Sequence, residues 1–81
     1  MNIAEAIVKS AGYEYTTSQS EDVHIDLPGL RGIWIREHEA QLYLFLYAAH
    51  HLDWEVMECF DTADPKFDPK DVQRILKFWI G

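Results

Sequence analysis

The chain has 81 residues, a net charge of −7 from fourteen acidic and seven basic side chains, and an apolar fraction of 48%. That length holds one domain, which buries only about 60–65% of its unfolded surface. Three Trp, four Tyr and four Phe exclude disorder as the default, because disordered chains are poor in aromatic and β-branched residues.

Asn2 is placed to cap a first helix over residues 3–11, with Glu5 at N3 completing a capping box. Ile3, Ala4, Ile7, Val8 and Ala11 form its apolar stripe, and Gly12 stands at C′. The opening residues contain no basic segment followed by a long apolar core, so no signal peptide is expected. The longest apolar run, 42–49, is too short to span a bilayer. With a single cysteine, Cys59, excluding a disulfide framework and a Cys-rich zinc site, the expected location is a reducing cytoplasm.

Residues 13–17 alternate weakly and suggest a short strand, and 18–21 form a polar loop. Residues 23–27 alternate cleanly, Pro28 and Gly29 supply a turn, and 32–36 resume as a strand. The hairpin so formed would point Val23, Ile25, Leu27, Ile33 and Ile35 inward.

Residues 38–60 admit two readings. As a helix, Leu42, Phe45, Leu46, Ala49, Leu52, Val56 and Phe60 line one face. As a strand over 41–47, parity separates Leu42, Leu44 and Leu46 from Tyr43, Phe45 and Tyr47, and this sorting favours the strand. A last strand over 54–60 follows, in which Glu58 shares parity with Trp54, Val56 and Phe60. Either a bulge re-aims Glu58 or that stretch is helical. The final helix, 69–80, has Asp68 as N-cap, Pro69 at N1 and Asp71 at N3. Val72, Ile75, Leu76 and Trp79 share one face of it.

The expected architecture is therefore α+β: a single domain with an antiparallel sheet of three to five strands and a helix from each end of the chain. The alternative is a more helical fold with 38–60 largely helix. Both helices can pack over the aliphatic face of the sheet, which leaves Trp34, Tyr43, Phe45 and Tyr47 on the opposite face. Alternatively, one helix covers each face and the aromatic row is core.

Chemistry finds little support. His24, His38, His50 and His51 lack zinc-ligand spacing, and adjacent histidines point apart on a strand or helix. Asp61, Asp64, Asp68 and Asp71 do not match a calcium loop, because two prolines and no glycine stand among them. Cys59 lies in an apolar segment, where a thiol behaves as a small hydrophobe. No phosphate-cradling glycine loop is present. No metal, cofactor or catalytic residue is expected.

Charge is more informative. No Lys or Arg falls between Arg36 and Lys66, whereas Glu37, Glu39, Asp53, Glu55, Glu58, Asp61 and Asp64 all do. Plain solubility explains an acidic surface, and direct nucleic-acid contact is disfavoured because it depends on basic side chains. The first functional expectation is a protein-binding module whose acidic segment engages a basic surface, such as that of a nucleic-acid-binding protein, and blocks it by mimicry. In size and charge it matches small inhibitors carried by phages and mobile elements, including those directed against CRISPR systems. The second is a homo-oligomeric structural or regulatory domain joined through the aromatic row. The third is a small enzyme or metal protein using His50, His51 and Cys59.

Overall fold

Alternation along the middle of the chain produces an antiparallel meander, shown by a computed structural model that describes residues 2–48 and 54–81, with 54 and 55 as backbone. Helix α1 (Ile3–Ser10) leads into strands β1 (Thr16–Thr17), β2 (Val23–Leu27), β3 (Arg31–His38), β4 (Gln41–Ala48) and β5 (Trp54–Asp61), and α2 (Pro69–Ile80) closes the chain. The strands lie in the order β1-β2-β3-β4-β5, each paired with its neighbour in sequence. The helical alternative for 38–60 is overturned for the residues described. A helix would scatter Leu42, Leu44 and Leu46 around its circumference, whereas β4 buries all three on one face.

Two tight turns set the register. Pro28, Gly29 and Leu30 join β2 to β3, with positive φ at Gly29 and Leu30, and place His24 opposite Trp34 and Ile25 opposite Ile33. Glu39 and Ala40 join β3 to β4 with φ of 49° and 63°. Positive φ at both central residues is what a two-residue type I′ hairpin requires, a conformation usually given to Asn-Gly.

The core is one cluster: Ala4, Ile7 and Val8 from α1, Val72 and Leu76 from α2, and Val23, Ile25, Ile33, Ile35, Leu42, Leu44 and Leu46 from the sheet. Both helices thus lie on the aliphatic face. Gln73 Nε2 donates to the carbonyl of Ile7 at 3.1 Å, tying the two helices across 66 positions of sequence.

The caps form largely as expected. Asn2 accepts from the N–H of Glu5 and Asp68 from that of Lys70. The α1 capping box is only half made, however, because the Glu5 carboxylate accepts from the Tyr15 hydroxyl at 2.8 Å instead of reaching back to Asn2. That bond raises the pKa of the Tyr15 phenol. Only Thr16 and Thr17 of the weakly alternating stretch pair as a strand, while Tyr13 and Tyr15 pack against the core.

Neither expected explanation of Glu58 holds. The register shift in β5 lies where Leu46 and Tyr47 meet Val56 and Trp54, and Glu58 faces Leu44 in regular register. It stays exposed on the helix side because β5 is an edge strand. No helix among the described residues is long and apolar enough to cross a membrane.

Candidate functional site

Successive side chains leave a strand on opposite faces, so the residues between the core positions stand on the face away from the helices. The register aligns them in rows across the sheet: His24, Trp34, Phe45 and Met57 in one, Arg36, Tyr43 and Cys59 in the next, and Asp26, Gly32 and Tyr47 in a third. The rings touch in sequence. His24 stacks on Trp34 at 5.4 Å, Trp34 meets Phe45 at 6.2 Å, and Phe45 stacks on Tyr43 at 6.4 Å. Trp34, Tyr43, Phe45 and Tyr47 are each half-buried, sheltered by one another where the covered face has helices. Neither helix covers the aromatic row, because both contribute to the core cluster on the aliphatic face.

Gly32 lets Tyr47 lie down on the sheet. A Cβ at position 32 would stand 2.8 Å from the Tyr47 Cζ and Oη atoms, so the ring occupies the space that any other residue would fill. An aromatic ring laid over a strand glycine restores the packing the glycine lacks.

One charged pair borders the row. Asp22, buried just ahead of β2, accepts three hydrogen bonds from the Arg36 guanidinium at 2.8 to 3.2 Å. Arg36 in turn lies 5.0 Å from the centre of the Trp34 ring. Burial pushes the Asp22 carboxyl up, but the hydrogen bonds and charge of the Arg36 guanidinium hold it below the usual carboxylate range. Arg36, His38, Tyr43 and Phe45 line a shallow depression beside this pair.

Among the described residues, the carboxylates of the acidic segment lie in more than one part of the sheet. Glu37 and Glu39 lie at the β3–β4 end of the sheet, lining a polar depression with Glu21 and Asp22. Asp61 joins them there, opposite Gln41, and the following Thr62 N–H donates to the carbonyl of Ala40 at 2.8 Å. Several of these carboxylates already have structural work: Glu37 accepts from the Ile3 N–H, and Asp61 and Asp64 close turns by accepting from Ala63 and Lys66. Glu58 lies further along β5, and the backbone of Glu55 lies in the opposite half of that strand. Asp53 falls outside the described residues.

His50 and His51 also fall outside them. His38 is 3.9 Å from Glu39, and Cys59 is exposed with its thiol donating to Gln41 Oε1 at 3.2 Å. Among the described residues, no three His, Cys, Asp or Glu side chains converge as metal ligands. Comparison with protein-family models, with curated proteins and with solved structures returns no match.

The sequence reading named Trp34, Tyr43, Phe45 and Tyr47 but missed His24, Asp22, Arg36 and Met57, which complete the surface. The missing signal was register. With Pro28 and Gly29 at the turn, counting back along the hairpin sets His24 against Trp34 and, one pair beyond the strand, Asp22 near Arg36.

Proposed function

We propose that this chain is a protein-binding module that engages a basic surface of another macromolecule, anchored by the open aromatic face and steered by the acidic end of the sheet. The observation that supports this is the ring-to-ring row His24, Trp34, Phe45 and Tyr43 on a face that neither helix covers. Aromatic residues at a surface of this kind are typical interface anchors. Rings with carboxylates at their margin favour arginine and lysine, through their π faces and through charge.

On this reading the module is an inhibitor. Filling a groove built for phosphates, it displaces nucleic acid from its partner, as an anti-CRISPR-like protein of a phage would. Capture from the native host identifies the partner, and a gel-shift competition then tests the mechanism. Phe45→Glu and Glu39→Lys should each weaken the complex, whereas Glu14→Lys should not. Affinity should fall as salt rises, since exposed charges are screened over about 8 Å at physiological ionic strength. A partner that holds its nucleic acid alongside this protein overturns mimicry, and a complex indifferent to Phe45→Glu overturns the anchor.

A second reading, homodimerisation through the same face, is favoured by the line His24, Trp34, Phe45 and Met57, which crosses four strands without a carboxylate. It requires light scattering at twice the monomer mass, reduced to the monomer value by Phe45→Glu.

A further inference from the structure

The two edges of the sheet are unlike. The β1 edge is two threonines long, whereas β5 offers eight residues, Trp54–Asp61. An edge strand turns alternate N–H and C=O groups outward, ready to pair with another chain, and proteins commonly blunt such edges with lysine, proline or a bulge. β5 has neither lysine nor proline, and its register shift is confined to the end near Trp54, which leaves 56–61 straight. Two of the most exposed large apolar side chains stand on it, Val56 at 40% and Met57 at 54%. Glu58 stands between Val56 and Phe60 on the helix side and makes no hydrogen bond or ion pair among the described residues.

From these features we infer that β5 is a docking edge for an extended segment of a partner, which adds as a sixth strand and sets a lysine or arginine against Glu58. This rests on the reading of the chain as a protein-binding module and specifies how the partner is held. Main-chain hydrogen bonds to the edge supply affinity, and alternate side chains supply selectivity. Apolar residues of the segment extend the line of Phe45 and Met57 on the face away from the helices, and its basic residues stand beside Glu58 on the other.

Charge selects the occupant. A second copy is disfavoured, because β5 carries no basic residue and pairing it with itself brings two Glu58 carboxylates into one ladder without a counter-charge. Glu58 therefore acts as a selector, refusing self-association while accepting a basic strand.

The test uses the intact chain and a capped peptide of about eight residues alternating valine with lysine, the length of a typical strand. Calorimetry should show binding, and amide exchange should show new protection in β5. Two further peptides, N-methylated on one or the other alternate set of amides, should part company: one binds like the parent and the other does not, because only one set faces the edge. Glu58→Lys should weaken the parent peptide about tenfold and bind a valine–glutamate peptide instead. Glu58→Gln supplies the same readout if the lysine variant does not fold. The inference is overturned by no binding, by equal binding of both N-methylated peptides, by protection gained elsewhere, or by indifference to both Glu58 variants. If the peptide fails while Phe45→Glu still releases the captured partner, strand addition is wrong and the protein-binding reading stands. If Phe45→Glu changes nothing while the peptide docks on β5, the anchor is wrong and the edge remains.

Discussion

Strand β4 presents two unlike surfaces from one backbone. Leu42, Leu44 and Leu46 are buried in the cluster that includes both helices, while Tyr43, Phe45 and Tyr47, one residue away in each case, are half-buried on the face neither helix covers. The difference is one of coverage, since strand, turn and register are shared. It teaches that the two faces contribute unequally to the core. The aliphatic face loses its water when the chain folds, whereas the aromatic residues of β4 stay only half-buried.

Substitutions on the two faces should therefore separate stability from binding. The largest effect belongs to Leu44→Ala, which empties a fully buried site and should cost about 2–5 kcal/mol in denaturant unfolding. A cost below about 1 kcal/mol would mean the two faces are not divided in this way.

Asp22→Asn tests a buried charge beside the aromatic row. It should cost about 1–2 kcal/mol, at the low end for hydrogen bonds to charged groups because Arg36 is half exposed. The folded-state pKa of Asp22 lies below its unfolded value. The pair thus contributes stability above about pH 4, near the unfolded pKa, and loses it as pH falls through the lower folded pKa. The gap between wild type and Asp22→Asn should narrow on acidification, as urea melts across pH would show.

Phe45→Ala should cost about 1 kcal/mol, the scale of aromatic pair contacts, yet abolish partner capture that Leu44→Met leaves intact. The smallest effect is expected at the hairpin serving both faces alike. Ala40→Gly relieves a positive φ and should stabilise by about 0.5–1 kcal/mol without altering capture.

Much of the covered face was legible because it follows from local rules. Parity sorted Leu42, Leu44 and Leu46 from the aromatics, Asp68 and Pro69 announced α2, and Pro28 with Gly29 placed the first hairpin. The open face was legible only as a row of rings. Which side the helices would take depends on packing between elements far apart in sequence, such as Ile7 and Val8 against Val72 and Leu76. Where the acidic residues would fall on the sheet was not legible, because charge along a chain carries no information about register. The hairpin turn at Glu39 and Ala40 and the return of β5 carry Glu39 and Asp61 to one end and the backbone of Glu55 to the other half. Glu58 looked like an error in a buried strand, and it is the ordinary consequence of standing at an edge.

The strand order has a kinetic consequence. Every strand pairs with its neighbour in sequence, so the sheet can assemble by a succession of short hairpin closures, each of low entropic cost. The two helices are different, since α1 meets α2 only when the ends of the chain come together, as the Gln73 bond to Ile7 records. That closure gains from waiting until the meander offers its aliphatic face as a platform. Gln73→Ala should then quicken unfolding while leaving the folding rate nearly unchanged, the pattern of a contact made after the transition state. A chevron in which only the unfolding limb rises would place the clasp of the two helices last in the assembly of the molecule.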